Sequence, residues 1–195
     1  MFLQTWTPEM AEAESIIQVH DKTFRPLILR DEISAMVVSV ASKINRDFAG
    51  EELTVIVILK GSFLFAADLV RHLTMPVVVE FARASSYGKG MTSSGTVTIE
   101  GLSADVEGRN ILLIEDIVES GTTVTELKKH LSLLHPKSLT VAALLSKPSV
   151  HNDAVSVDYI GREIGSEFVV GYGLDYAEQG RHLADIWVYD ASPEA

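Results

Sequence analysis

The chain has 195 residues, no cysteine and a formal net charge of −11, because 27 aspartates and glutamates outnumber 16 lysines and arginines. The length fits one compact domain. The absence of cysteine excludes disulfide frameworks, zinc–thiolate sites, iron–sulfur clusters and thiol catalysis. The acidity argues against a protein that coats nucleic acid, which needs a broad basic face.

The hydrophobic fraction of 47% indicates a folded chain rather than a disordered one. No apolar stretch approaches the ~20 residues that a membrane span requires. The first basic residue is Lys22, whereas a secretory signal begins with basic residues. We therefore expect a cytoplasmic protein that does not bind membranes.

The first quarter of the chain predicts a short helix, a strand and a long helix. Thr7-Pro8-Glu9 offers a capping residue and a proline that open a helix, and residues 15–20 are typical of a strand. A helix is predicted from Asp31 to about Asp47, because apolar residues recur along one face. That face carries Ile33, Met36, Val37, Val40 and Ile44.

Apolar, β-branched strands alternate with helices through the middle of the chain. Strands are predicted over residues 55–59, 77–81, 96–100, 111–114 and 139–145, and shorter ones over 158–160, 168–170 and 186–189. Helices are predicted over 63–73 and over the segment that carries Val124, Leu127, Leu131 and Leu134. The polar segment 85–95 is too long for a tight hairpin. This alternation predicts an α/β fold with a mainly parallel sheet flanked by helices.

Polar residues follow the predicted buried strands where each strand ends. They are Lys60-Gly61, the segment from Glu115 to Thr123, and Lys147. Ligands of parallel sheets bind outside the carboxyl ends of the strands. We therefore expect these residues to form a ligand site. The six histidines show no metal-ligand spacing, and surface or capping roles are expected for all of them.

The segment from Ile114 to Thr123 joins two adjacent carboxylates, Glu115 and Asp116, to a loop of small residues that leads into a helix. The first N–H groups of a helix have no partners within it, so such a loop suits a phosphate. The carboxylates suit the vicinal hydroxyls of a ribose. An acidic turn in which Glu119 and Ser120 cap the helix is the alternative, and the residues alone favour neither. The segment is neither a P-loop nor a GxGxxG fingerprint.

The same segment resembles the phosphoribosyl-diphosphate (PRPP) signature of type I phosphoribosyltransferases: a hydrophobic strand, two acids, two apolar residues, then an acid–Ser–Gly–x–Thr loop. Other stretches resemble the hypoxanthine-guanine members of that family. They are Leu59-Lys60-Gly61-Ser62, Ser86-Tyr87, residues 143–147, residues 168–176 and Arg181. The similarity extends from about residue 15 to about residue 190.

The resemblance implies one phosphoribosyltransferase domain over residues 1–195, with a core at about 31–160 and a small hood made by about 1–30 and 161–195. It implies roles in binding PRPP for the strand-end residues, which we expect as follows. Glu115 and Asp116 bind the ribose hydroxyls; Glu119, Ser120, Gly121, Thr122 and Thr123 bind the 5′-phosphate; and Lys60, Gly61 and Arg181 bind pyrophosphate. A cis peptide bond between Leu59 and Lys60 is also expected.

The resemblance further implies a purine site and Mg²⁺. Lys147 would donate to the 6-oxo group, Phe168 would stack on the ring, and the Val169 backbone would contact the base edge. Asp175 is placed with these purine-binding residues and is also the expected carboxylate beside Mg²⁺. Ser86 and Tyr87 match the mobile lid, whose closure excludes water.

Each of these residues also has a simpler interpretation. Lys60 and Arg181 are also typical of solvated surface residues, Phe168 and Val169 of core residues in a strand, and Asp175 of a cap at a strand end. The resemblance, rather than residue type, favours the binding roles.

The reaction that the resemblance implies joins a 6-oxopurine to PRPP and releases pyrophosphate, with a proton leaving the purine ring. The family assigns that proton to an aspartate in the phosphate loop, and this chain has Glu119 at the matching position. A glutamate carries the same titrating group on one more methylene. A displacement of ~1 Å changes a rate by as much as ~10²-fold, so activity or base preference is expected to respond to this substitution.

Two readings compete with a hypoxanthine-guanine salvage enzyme. One is a regulator with the same fold that binds PRPP or nucleotides and contacts nucleic acid, which the acidic composition disfavours. The other is an enzyme with a xanthine-guanine or another 6-oxopurine preference. The family's members are commonly homodimers or homotetramers, so a homo-oligomer is expected, with no nucleic acid among its partners.

Overall fold

The computed structural model describes residues 16–86, 97–100, 106–151 and 155–191, with the backbone alone for 84–86 and 97–100. In chain order the elements are β1 (Ile17–Val19), β2 (Lys22–Ile28), α1 (Arg30–Asp47), β3 (Leu53–Leu59), α2 (Phe63–Arg71), β4 (Val77–Ser86), β5 (Val97–Glu100), β6 (Asn110–Val118), α3 (Thr122–Ser132), β7 (Ser138–Ser146), a 3-10 turn (Pro148–Val150), β8 (Tyr159–Glu163), β9 (Val169–Val170) and β10 (Ile186–Tyr189).

The described residues form two compact units. One draws on Met1–Ile33 and Glu167–Ala195, and the other on Ser34–Ser166. The larger unit holds the α/β sheet, and the smaller unit combines both ends of the chain.

The larger unit contains a six-stranded sheet in the order β5-β4-β3-β6-β7-β8. Neighbouring strands from β4 to β8 run parallel, and β5 pairs antiparallel with β4 at the edge. The mainly parallel sheet with flanking helices, predicted from the alternation of strands and helices, is therefore confirmed. Parallel pairing also places the carboxyl ends of β3, β6 and β7 at one edge of the sheet.

The central strands of this sheet are apolar because they are buried on both faces. Residues 111–114 of β6 and 141–145 of β7 are essentially inaccessible to solvent. Helix α1 buries the face that its apolar spacing predicted, from Ile33 to Ile44. Helix α3 buries Val124, Leu127 and Leu131, whereas Leu134 lies beyond the helix end and is 40% exposed.

The smaller unit contains an antiparallel sheet in the order β1-β2-β10-β9. Its core is a cluster of Val19, Phe24, Val170 and Trp187. Strand β2 was not predicted, since Pro26 and the charged residues Lys22 and Arg25 interrupt the alternation of its apolar residues. Pro26 lies opposite Trp187, next to a register shift between Ile186 and Trp187; proline is tolerated at such irregularities.

Two strands of the larger unit are longer than their apolar cores predicted. Strand β4 continues through Ser85 and Ser86, which pair with Thr98 and Val97 of β5. Strand β6 continues past its apolar run through Glu115 and Asp116 to Val118. The acidic pair therefore belongs to the strand itself. Both extensions are stabilised by pairing with a neighbouring strand, which overrides the polarity of the residues.

Some sequence predictions fall outside the described residues. They concern the helix start at residues 7–9, Tyr87 of the expected lid and most of the polar segment 85–95. Within the described ranges, no helix is both long and apolar enough to cross a membrane.

We expect Leu113→Ala to lower the free energy of unfolding by about 3 kcal/mol, because Leu113 is fully buried in the central strand β6 and its truncation leaves a cavity. Urea denaturation monitored by circular dichroism measures this loss. Leu133→Ala is the matched control: Leu133 is 75% exposed, and its truncation should change the free energy by less than about 0.5 kcal/mol. Equal losses in the two variants would contradict the central position of β6.

Candidate active site

The acidic pair lies at the end of the central strand β6, and its two members differ in exposure. Glu115 is 8% exposed, and Asp116 is half-buried beside it. Burial raises the pKa of Glu115 well above its ordinary value, and the neighbouring Asp116 charge adds to this, while a backbone hydrogen bond at Asp116 opposes it. Glu115 thus holds its proton more tightly than an ordinary glutamate does.

The loop after β3 lies directly against this acidic pair. A Cβ atom built on Gly61 would sit 1.5 Å from Oδ2 of Asp116, so any side chain at position 61 would displace the carboxylate. The peptide bond between Leu59 and Lys60 is cis, as the resemblance predicted. The structure therefore brings together the predicted pyrophosphate loop, Lys60-Gly61, and the predicted ribose-binding residue Asp116.

The predicted phosphate loop surrounds a small cavity at the start of helix α3. The cavity has a volume of about 190 Å³ and is lined by Glu115 and residues 117–124. That is smaller than the ~300–1,000 Å³ pockets that enclose whole ligands of drug size. It therefore suits one group of a larger ligand, such as a phosphate.

The N-cap position of α3 is occupied by a glycine. Gly121 adopts the left-handed conformation, with φ of 78°, and has no side chain with which to cap the helix. Ser120 Oγ lies 3.1 Å from Thr122 Oγ1. Ser120 Oγ also accepts a long hydrogen bond of 3.4 Å from the Thr122 N–H, so Ser120 covers one N–H group at the helix start, whereas Glu119 pairs with Lys147 instead. The N-terminal N–H groups remain suited to an anion.

Glycine at position 121 is required by its surroundings as well as by its backbone. A Cβ atom there would lie 2.4 Å from Cβ of Val155. Val155 packs against the core cluster that includes Val124 and Leu127 of α3. Val155 thus supports the phosphate loop from outside, a contact that the sequence did not predict.

Lys147 and Glu119 form an ion pair between Nζ and Oε1. The Lys147 side chain is 5% exposed and that of Glu119 is 58% exposed. Lys147 is the first residue after β7, and its N–H donates to Val118 O at 2.9 Å. The predicted proton acceptor and the predicted purine-binding lysine are therefore brought into direct contact.

His151 links the strand ends that precede these two residues. Its Nε2 lies 3.1 Å from Ser146 Oγ and 3.3 Å from Val118 O. Ser146 precedes Lys147, and Val118 precedes Glu119. A surface or capping role was expected for His151, but the structure places it in contact with the ends of two strands. The one indication of this contact in the sequence is that His151 follows Lys147 closely.

In the smaller unit, Asp175 and Arg181 form an ion pair across a tight loop. Arg181 Nη2 lies 2.7 Å from Asp175 Oδ1, and Nη1 donates to Gly173 O at 2.8 Å. The Glu178 N–H donates to Asp175 Oδ2 at 2.8 Å, and the Glu178 carboxylate lies 3.6 Å from Arg181 Nη2. Neither Asp175 nor Arg181 is the simple strand-end cap or solvated side chain of the alternative interpretation.

Phe168 lies at the start of β9 with an accessible ring. It is 42% exposed, and it packs edge-on against Tyr176 with ring centroids 5.7 Å apart. Val169, by contrast, is 5% exposed and pairs with Val188 in the sheet. The Phe168 ring is thus available for a ligand, while Val169 offers its backbone rather than its side chain.

Among the residues that the structure describes, no cluster of three or more histidine, aspartate or glutamate side chains is suited to hold a metal ion. Side-chain geometry at the expected lid is not described: Ser86 belongs to β4, and Tyr87 lies outside the described residues.

We expect Gly121→Ala to destabilise the protein by at least about 2–3 kcal/mol. Alanine is strained at a positive φ, and its Cβ would also overlap Val155. Gly108→Ala is the matched control, since Gly108 has φ of 68° but nothing lies within 4 Å of an added Cβ. That control should lose only about 1 kcal/mol. Urea denaturation measures both, and adding Val155→Ala should recover part of the first loss. Equal losses at the two glycines would show that the Val155 contact is unimportant.

We expect Glu115→Gln to become increasingly stabilising, relative to the natural chain, as the pH rises above the ordinary glutamate value of 4.5. The folded-state pKa of Glu115 is raised, so its favourable contribution is present at low pH and is lost as the pH rises through that pKa. The free energy of unfolding, measured from about pH 5 to about pH 8, tests this.

The matched control for this pH experiment is Glu167→Gln, which removes an exposed carboxyl group of the smaller unit. A stability difference between Glu115→Gln and the natural chain that stays constant with pH would contradict the effect of burial on Glu115.

Comparison with known proteins agrees with the residues assembled here. The family model for the phosphoribosyl transferase domain matches residues 29–177. A hypoxanthine phosphoribosyltransferase of Haemophilus influenzae is 40% identical over 164 residues, which cover 82% of this chain and 92% of that protein. A hypoxanthine-guanine phosphoribosyltransferase of Aquifex aeolicus is 38% identical over 175 residues, covering 89% and 98%.

A solved structure shows the same fold. The crystal structure of a hypoxanthine-guanine phosphoribosyltransferase from Bacillus anthracis superposes with a TM-score of 0.79 at 39% identity, covering 89% of this chain and all of that one. The family model spans most of the chain, and the identities extend over most of both proteins. The chain therefore belongs to the phosphoribosyltransferase family, among its hypoxanthine-guanine members.

Proposed function

We propose that this protein is a purine salvage enzyme that transfers the 5-phosphoribosyl group from PRPP to a 6-oxopurine, hypoxanthine or guanine, giving IMP or GMP and pyrophosphate. The observation that carries the proposal is the arrangement at the carboxyl edge of the parallel sheet. There the adjoining strands β6 and β7 bring together two carboxylates, a buried lysine and a helix start whose N-cap is a glycine. Each of these groups matches one part of the two substrates.

PRPP presents a 5′-phosphate and vicinal ribose hydroxyls, and the β6–α3 segment offers partners for both. The N–H groups and hydroxyls of residues 120–123 would bind the phosphate, with the positive end of the helix dipole facing it. Glu115 and Asp116 would accept hydrogen bonds from the ribose hydroxyls.

Pyrophosphate leaves with the electron pair of the bond to the anomeric carbon, so its negative charge grows in the transition state. The backbone at Lys60-Gly61 and the guanidinium of Arg181 would stabilise that charge. The Arg181 fork is already oriented by Asp175 Oδ1 at 2.7 Å and Gly173 O at 2.8 Å. Preorganised donors of this kind lower the barrier without reorganising during the reaction.

Mg²⁺ prefers oxygen ligands, and Asp175 offers a carboxylate. The Asp175 side chain is 28% exposed. Mg²⁺ is commonly bound through one or two carboxylates, waters and substrate phosphates rather than by an all-protein cage. Asp175 would hold the ion, and the ion would neutralise charge on pyrophosphate when bound. The remaining ligands would come from substrate and water.

The proposed partners of the purine are a donor on the larger unit and a flat apolar surface on the smaller unit. The Lys147 ammonium would donate to the 6-oxo group, the exposed Phe168 ring would stack on the purine, and the Val169 backbone would contact the base edge. A 6-amino purine would present a donor to the Lys147 donor and leave buried polar groups unpaired. This arrangement selects 6-oxopurines over adenine.

Glu119 is the proposed proton acceptor. As the purine nitrogen bonds to the anomeric carbon, the ring becomes positively charged and must lose a proton. The N–H bond breaks, its electron pair stays on the ring, and the proton passes to the Glu119 carboxylate. The side chain is 58% exposed, which leaves it free to reach a bound base.

We also propose that the enzyme is a cytoplasmic homodimer or homotetramer.

We expect the purified protein, with PRPP and Mg²⁺, to convert hypoxanthine and guanine at least about 10³-fold more efficiently than adenine, since unpaired donors in a buried site are rejected strongly. Initial rates with hypoxanthine, guanine, xanthine and adenine, followed by ultraviolet absorbance, measure kcat/KM for each. The xanthine rate decides between the two 6-oxopurine preferences.

The matched variant in this panel is Lys147→Gln. It should lower kcat/KM for hypoxanthine by about 10²-fold and reduce the discrimination against adenine, because the amide presents both a donor and an acceptor. A natural chain that favours adenine, or a variant that keeps full discrimination, would contradict the proposed base site.

A further inference from the structure

The pair between Lys147 and Glu119 joins a buried cation to an exposed anion. The Lys147 side chain is 5% exposed, so water does not replace its partner, while the 58% exposed Glu119 retains its own solvation. A buried charge requires a paired group. In the protein without substrate, the Glu119 carboxylate supplies that group.

The register of the sheet places these two residues together. Val118 of β6 pairs with Ser146 of β7, and each strand ends there. The next residues along the two chains are Glu119 and Lys147, and the Lys147 N–H donates to Val118 O at 2.9 Å. Backbone pairing therefore fixes the positions of the two residues next to each other, and the exposed Glu119 side chain is the partner that can move away.

Side-chain length decides whether this contact forms. An aspartate at position 119 would carry its carboxylate on one fewer methylene, which is about 1.5 Å less reach from the same backbone. The Glu119 oxygen now lies within hydrogen-bond distance of Lys147 Nζ. A carboxylate drawn back by that amount would leave the hydrogen bond long or broken.

We propose that Glu119 is the resident counter-ion of Lys147 and that a 6-oxopurine binds by exchange, its carbonyl oxygen replacing the Glu119 carboxylate on the Lys147 ammonium. This inference rests on the proposed function and adds to it a role for the length of Glu119. The exchange weakens base binding, because the free energy gained from the bond to the 6-oxo group is reduced by the free energy needed to displace the carboxylate. It also frees the Glu119 carboxylate at the moment when a ring proton needs an acceptor.

A static pair is the opposing arrangement. In that case Glu119 stays on Lys147 when the base binds, the ammonium donates to both partners, and the pair strengthens rather than opposes binding. Shortening Glu119 would then raise KM for the base. The two arrangements thus predict changes in KM of opposite sign.

The test compares the natural protein with Glu119→Asp and Glu119→Gln in steady-state kinetics with hypoxanthine at saturating PRPP and Mg²⁺. Both variants weaken the ion pair, so KM for hypoxanthine is expected to fall about fivefold, as for loss of a partly exposed ion pair. Glu119→Asp retains a carboxylate, so it should lose less kcat than Glu119→Gln, which should lose at least about 10²-fold in kcat.

The matched control is Glu126→Asp. Glu126 pairs with Lys129 at 2.6 Å on the surface of α3, so the same chemical change there should leave both KM and kcat unchanged. A crystal structure of the natural protein with GMP provides the second readout. Lys147 Nζ should lie within hydrogen-bond distance of the 6-oxo oxygen, with the Glu119 carboxylate no longer in contact with it.

The outcomes separate the two proposals. A natural protein inactive with all four bases would overturn the proposed function and the exchange with it. An active natural protein whose KM for hypoxanthine is unchanged or raised by Glu119→Asp would overturn the exchange alone. A GMP complex in which Glu119 still contacts Lys147 would do the same. A kcat that Glu119→Gln leaves intact would show that the displaced carboxylate is not the proton acceptor.

Discussion

The parallel ladder between β6 and β7 is the constraint on which the candidate site depends. Eight residue pairs make up this ladder, from Asn110 with Ser138 to Val118 with Ser146. The ladder includes Glu115, and Glu119 and Lys147 follow directly after its end. The buried apolar cores of both strands keep this register, since a slip would expose them. Because the backbone fixes the strand ends, the groups that follow them meet without further support.

Two consequences follow from the meeting of those strand ends. On one side, the carboxylate of Asp116 closes against Gly61, so the β3 loop and the acidic pair share one surface. On the other side, Glu119 compensates the buried charge of Lys147. The larger unit thus places the Asp116 carboxylate against the β3 loop, and it keeps the buried amine of Lys147 paired. Because its buried charge is paired, a polar site is compatible with the low dielectric of a sheet interior.

Much of the fold and the identity of the candidate residues could be predicted from the sequence. The apolar spacing of α1 and the β-branched runs of β3, β6 and β7 reflect burial, which acts residue by residue. The limits arose where pairing overrides composition. Strand β2 carries Pro26 and two charges but is held between β1 and β10, and β6 continues through Glu115 and Asp116 because β7 pairs with it. No local pattern reports a partner strand.

The sequence by itself determined the chemistry available to this protein: the acidic pair, the small-residue loop, the lysine after β7 and a glutamate where the family has an aspartate. The tertiary structure alone decided what that glutamate contacts, because Glu119 and Lys147 are 28 residues apart and meet only through the register of two strands. It likewise decided why Gly61 and Gly121 are glycines, since Asp116 and Val155 fill the space that a side chain would need. Contacts between distant segments depend on packing, which no run of neighbouring residues encodes.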